Sequence, residues 1–109
     1  EEAGLELLTK QGEWKAVDTP EGALVINVGD MLDRLTNSKL RSTTHRVVNP
    51  RGEAARRSRY SMPFFLHFRP DYEIRTLESC IEPGRESEAP PPISSHEFLL
   101  QRLREINLA

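Results

Sequence analysis

Apolar residues along this chain come in short, closely spaced bursts, with no long helical stripe until the final residues. Leu5 to Leu8 and residues 14–17 are two such bursts, and the polar, glycine-containing stretch Thr9-Lys10-Gln11-Gly12 between them predicts two short strands joined as a hairpin. The β-branched run Ala23-Leu24-Val25-Ile26-Asn27-Val28 predicts a third strand. It ends at Gly29-Asp30, where Asp30 is placed to cap a short helical turn carrying Met31, Leu32 and Leu35, with Thr36-Asn37-Ser38 ending it. Residues 42–48, with Thr43, Thr44, Val47 and Val48, predict a fourth strand closed by the turn residues Asn49-Pro50-Arg51-Gly52. Residues 60–68 predict a fifth, in which Pro63 is confined to an edge or a bulge because it has no amide hydrogen to give a ladder. Short strands at this spacing favour an antiparallel sandwich or barrel over a parallel sheet.

The pattern changes beyond residue 75. Residues 82–92 hold four prolines together with Gly84, Ser87 and several charges, the composition of an extended linker without a core of its own. Ser94 and Glu97 then have the spacing of a capping box, and Leu99, Leu100, Leu103 and Ile106 recur on one face of a terminal helix. A helix this short is marginal in water by itself, so its apolar stripe implies a partner surface, expected in a missing front half of the fold. The chain thus reads as a core over residues 1–75 and a linker plus helix over residues 76–109.

Composition narrows the function classes. At 109 residues the chain has the size of one domain, and its formal charge of -2 gives no global reason to seek nucleic acid or an anionic membrane. The arginines of residues 50–58 (Arg51, Arg56 and Arg57) lack stacking aromatics and read as a solvated turn, rather than as a nucleic-acid patch or an enlarged loop at an active-site mouth. Cys80 is the sole cysteine, so no internal disulfide is expected, and a reducing, cytoplasmic compartment is the simpler assignment. No apolar run approaches the length of a membrane span, and Glu1 and Glu2 stand where a secretory signal would be basic. There is no initiating methionine, and a strand begins almost at once, so the chain is expected to start inside a longer polypeptide.

Chemistry concentrates in two segments, Thr43-Thr44-His45-Arg46-Val47-Val48-Asn49-Pro50 and Arg59-Tyr60-Ser61-Met62-Pro63-Phe64-Phe65. Arg59 and Ser61 are two apart on a predicted strand and therefore share a face, where a guanidinium and a hydroxyl together suit a carboxylate. In this order and spacing, with Gly4-Leu5-Glu6-Leu7-Leu8, Gly12-Glu13-Trp14 and Asn27-Val28-Gly29-Asp30-Met31-Leu32 upstream and Pro70-Asp71-Tyr72 downstream, the chain resembles the iron(II), 2-oxoglutarate-dependent oxygenases of the isopenicillin N synthase-like group. The resemblance covers roughly the first two-thirds of the chain.

That resemblance implies an all-β core, the carboxy-terminal half of a double-stranded β-helix (jelly roll), followed by the linker and terminal α-helix. It implies Fe(II) held by two histidines and a carboxylate, with His45 as the distal histidine ligand and Arg59 with Ser61 gripping the far carboxylate of 2-oxoglutarate. Dioxygen and a small organic substrate would complete the reaction, with release of succinate and CO2; no acid or base residue is assigned. Phe64, Phe65, Val47 and Trp14 are expected in the core.

Two features depart from the pattern. The connection over residues 50–58 is longer than is usual in the family. The His-x-Asp or His-x-Glu motif that supplies the other ligands is absent: His67 and His96 are followed two positions later by Arg69 and Phe98, and both read as structural or solvent-facing. The isolated chain is therefore expected to be inactive, its intact parent to be the enzyme, and the missing amino-terminal half to be its partner. Two other readings stay open. One is a non-catalytic jelly-roll module that binds a carboxylate ligand or protein partner; the other is an iron oxidase of the same fold that does not use 2-oxoglutarate.

Overall fold

Leu5 and Leu7 share one face of β1 (Leu5–Leu8) and Glu6 and Leu8 the other, and the strand is the centre of a three-stranded antiparallel sheet. In the computed structural model, which describes residues 4–58, 60–85 and 88–108, β1 lies between β2 (Trp14–Ala16) and β3 (His45–Val47). Glu6 faces Ala16 on one side and Arg46 on the other, while Leu7 faces Lys15 and His45. The β1–β2 hairpin turns where expected. Gly12 adopts φ +82°, a left-handed conformation that costs glycine little, and Thr9 closes the loop through its amide to Glu13 O at 2.8 Å. Hydrogen bonds from Leu8 N to Thr44 O and from Val48 N to Gly4 O extend the β3 ladder by a residue at each end, close to the limits its sequence predicts.

One face of this sheet is tied by charge. Arg46 Nε donates to Glu6 Oε2 across 2.8 Å, and the Arg46 guanidinium lies 4.0 Å from the centre of the Trp14 ring. Because side chains alternate, His45 emerges on the opposite face, with Leu5, Leu7 and Val47.

The chain clusters into two units, Glu1–Asn27 with Thr43–Phe64 and Val28–Ser42 with Phe65–Ala109. The second contains α1 (Asp30–Leu35), a two-stranded antiparallel sheet of β4 (Glu73–Ile74) and β5 (Ile93–Ser94), and α2 (Ser95–Glu105). Its core is small: Ile74 is 1% exposed and Phe98 6%. The start of α2 follows the capping-box expectation, with Ser94 Oγ accepting from Glu97 N at 3.2 Å and donating to Glu97 Oε2 at 2.7 Å. Two further amides of its first turn, Ser95 N and His96 N, donate to Tyr72 O and Pro70 O, so the segment before β4 closes the helix end. Ahead of β5, Arg85 sits between Glu82 and Glu88, and its bonds to Glu88 and then to Glu82 push its pKa further up.

Several expectations are corrected. Asp30 is the first helical residue of α1 and not its cap; Gly29 holds that position, and its carbonyl accepts from Leu32 N and Asp33 N at 3.1 Å each. The runs at 23–28 and 60–68 form no strand among the described residues, and Ile26 is 90% exposed. A strand exists only as part of a ladder, and neither run meets a partner among those residues. Phe64, Phe65 and Val47 are exposed, and Trp14 is covered only in part, by the Arg46 guanidinium over its ring. The anchor of α2 is Phe98, whereas Ile106 is 62% exposed. Phe98 meets Arg34 of α1, whose guanidinium packs 5.2 Å from its ring centre.

Candidate metal and cosubstrate site

β3 carries the principal candidate, His45. Its Nδ1 lies 3.1 Å from the carbonyl oxygen of Thr43, two residues earlier in the chain, and 3.2 Å from Nδ2 of Asn27. Both neighbours lie against the same ring nitrogen, Nδ1, on the side of the ring away from Nε2. Such an arrangement, with one imidazole nitrogen held by the protein and the other free, is how metal-binding histidines are oriented. His45 is exposed. Sequence reasoning missed Asn27 because an asparagine at the end of an apolar run reads as a strand terminator. Its position 18 residues from His45 carries no periodic signal.

The proposed cosubstrate pair is placed only in part. Arg59 lies outside the described residues, and Ser61 is exposed on the segment after it. His67 is exposed with its ring 6.0 Å from that of Phe65, and His96 is exposed in the first turn of α2, in line with structural or solvent-facing roles. The arginine-bearing connection forms a short 3-10 helix, Gly52–Arg56, with Arg51, Arg56 and Arg57 exposed.

A hollow of about 350 Å³ in the second unit is lined by Asp30, Asp33, Arg34, Ser42, Phe98 and Arg102, among others. Its charges are already engaged. Asp33 accepts from Ser38 Oγ at 2.7 Å and Ser42 N at 2.6 Å, Arg102 pairs with Asp30 at 3.0 Å, and Arg34 Nη2 donates to Pro91 O at 2.6 Å. Arg34 Nε is buried without a hydrogen-bond partner among the described residues, beneath a guanidinium that packs 5.2 Å from the centre of the Phe98 ring. Neither His45 nor Ser61 is among the residues that line this hollow.

Whether the chain suits a metal can be judged from its donors. Among the described residues no group of three or more histidine, cysteine, aspartate or glutamate side chains could hold an ion. His45 fits as a single nitrogen ligand; the remaining donors would have to come from elsewhere. No helix of the described residues is long and apolar enough to cross a membrane.

Residues 1–68 match the family model of the 2OG-Fe(II) oxygenase superfamily, and the chain belongs to that family. It is 38% identical over 89 residues to the 2-oxoglutarate-Fe(II) type oxidoreductase hxnY of Emericella nidulans, a match covering 81% of this chain and 24% of that protein. Among solved structures, a 2OG-Fe(II) oxygenase family protein from Caulobacter crescentus superposes with a TM-score of 0.86 at 55% identity, over 95% of this chain and 34% of that one. A full-length Neurospora crassa protein solved in complex with alpha-KG superposes with a TM-score of 0.72 at 26% identity, over 94% of this chain and 31% of that one. The chain thus spans about a quarter to a third of the length of these relatives.

Proposed function

We propose that the polypeptide carrying this chain is an iron(II)- and 2-oxoglutarate-dependent oxygenase that oxidises a small organic substrate with dioxygen and releases succinate and CO2. In this reading the chain contributes the carboxy-terminal half of a double-stranded β-helix. His45 supplies one metal ligand through Nε2, and Arg59 with Ser61 holds the far carboxylate of 2-oxoglutarate. The observation that carries the reading is the His45 ring itself, held at Nδ1 on β3 within the stretch that matches the family.

Bound ferrous iron would supply the oxygen chemistry, and the protein would supply position and a dry site. Arg59 presents a charged fork to a carboxylate, and the Ser61 hydroxyl adds a neutral donor beside it. The exposed runs at 23–28 and 60–66 are apolar enough to pair with, or be covered by, strands of the amino-terminal half, which is the partner this reading requires. The substrate class beyond a small organic molecule is set by loops outside this chain.

The test is His45→Ala in the full-length protein, with Fe(II) binding measured anaerobically and succinate measured after adding dioxygen. Loss of both is expected. A variant that binds Fe(II) and forms succinate like the unaltered protein removes His45 from the ligand set. Product formation that proceeds unchanged without 2-oxoglutarate would instead favour a same-fold oxidase.

A further inference from the structure

The two neighbours of His45 Nδ1 make opposite demands on it. The Thr43 carbonyl oxygen, 3.1 Å away, can only accept, and so requires a proton on Nδ1. The Asn27 amide nitrogen, 3.2 Å away, can only donate, and so requires a bare lone pair there. One imidazole cannot meet both demands. Turning the Asn27 amide by half a rotation exchanges Nδ2 for Oδ1, after which both neighbours accept from a single Nδ1–H and Nε2 keeps its lone pair. In the orientation seen, a proton on Nε2 lets Nδ1 accept from Asn27, but that nitrogen is then closed to a metal and Nδ1 faces the Thr43 oxygen unprotonated. The exchange leaves the ring neutral, one proton leaving Nε2 for solvent as another arrives at Nδ1.

We infer that Asn27 is a positioning residue for His45: its amide turns with the imidazole tautomer, and with Oδ1 toward Nδ1 it fixes the ring so that Nε2 can take a metal ion. Backbone from two separate segments converges here, since Thr43 leads into β3 and Asn27 lies near the end of the run at 23–28. Thr43 can set the tautomer by itself, but a single acceptor leaves the ring free to swing about that bond. The second acceptor removes the swing. This inference rests on the proposed role of His45 as a ligand.

The experiment titrates Co(II) into the full-length protein and its Asn27→Leu, Asn27→Asp and His45→Ala variants, following the visible absorption of the bound ion. Folding of each metal-free variant is checked by its thermal midpoint. Asn27→Leu, which keeps the side chain's shape without its polarity, is expected to weaken Co(II) binding about 10- to 100-fold, the usual effect of losing a partner behind a metal ligand. Asn27→Asp, which can only accept, is expected to restore binding to within about three-fold of the unaltered protein. Independently of any variant, 15N spectra of the Zn(II)-loaded protein should show His45 protonated at Nδ1 and metallated at Nε2. Equal weakening by Leu and Asp, no weakening by Leu, or metal on Nδ1 would each overturn the role of Asn27 while leaving His45 a ligand. Unchanged Co(II) binding by His45→Ala would overturn the ligand assignment itself, and the role of Asn27 with it.

Discussion

Arg102 Nε donates to Asp30 Oδ2 across 3.0 Å, joining α2 to the first turn of α1. The same guanidinium packs 5.9 Å from the centre of the Phe98 ring, which the Arg34 guanidinium approaches to 5.2 Å. A buried aromatic with two arginines against it makes α2 part of the second unit and not a free tail.

Phe98 carries most of this docking, because its ring is buried whereas the Arg102–Asp30 pair is only about half covered. Phe98→Ala is expected to cost about 3–5 kcal/mol and Arg102→Ala less than about 1 kcal/mol, measured by urea unfolding of the full-length protein. Equal losses from the two variants would contradict this division.

Both helices end on a left-handed asparagine, Asn37 at φ 50° and Asn107 at φ 58°. In each case the following amide reaches back to the helix, Ser38 N to Asp33 O and Leu108 N to Leu103 O, both at 2.9 Å. Asn107→Gly should therefore stabilise α2 by a few tenths of a kcal/mol, and Asn107→Ala should destabilise it by about 1 kcal/mol. Amide exchange of α2 reads both changes, and slower exchange in the Ala variant would refute the expectation.

In the proposed oxygenase, Arg59→Ala removes a charge-assisted bond of about 1.5–3 kcal/mol from the cosubstrate carboxylate, which corresponds to a rise in KM for 2-oxoglutarate of about 10- to 100-fold. Ser61→Ala, losing a neutral hydrogen bond of about 0.5–1.5 kcal/mol, should raise KM by about ten-fold or less. Steady-state succinate formation at varied 2-oxoglutarate separates the two effects. A fall in kcat with KM unchanged would argue against a binding role.

The chain by itself is expected to form no succinate from 2-oxoglutarate with Fe(II) and dioxygen supplied, since its described residues offer His45 without a cluster of further donors. Exposed Leu24, Ile26, Phe64 and Leu66 should also make it bind a hydrophobic dye more strongly than the full-length protein does. Turnover by the purified chain would show that one histidine suffices, and would remove the need for outside ligands.

Local chemistry was legible in the amino-acid order. The hairpin of β1 and β2 follows from short apolar runs around a glycine turn, the end of α1 from Thr36-Asn37-Ser38, and the start of α2 from Ser94 and Glu97. Each depends on residues within a few positions of one another, so propensity and turn geometry decide them. Family membership was legible for the same reason, because the segments around His45 and Ser61 keep their order and spacing along the chain.

Tertiary structure alone decided which apolar residues found cover. Residues 23–28 and 60–68 have the composition of strands, yet a ladder needs a second strand to exchange hydrogen bonds, and composition does not say whether one is present. The pairing of β4 with β5 involves two residues a side, too few for periodicity to register. Phe98 rather than Ile106 anchors α2 because Arg34 of α1 lies against its ring, a fact of packing between residues some 60 apart. The sequence by itself determined where the β1–β2 hairpin turns, where α1 stops, where α2 starts and which imidazole is the candidate ligand. Only the tertiary structure brought Asn27 to that imidazole, because a hydrogen bond between distant segments depends on how the backbone returns through space and leaves no mark on the pattern of residues along it.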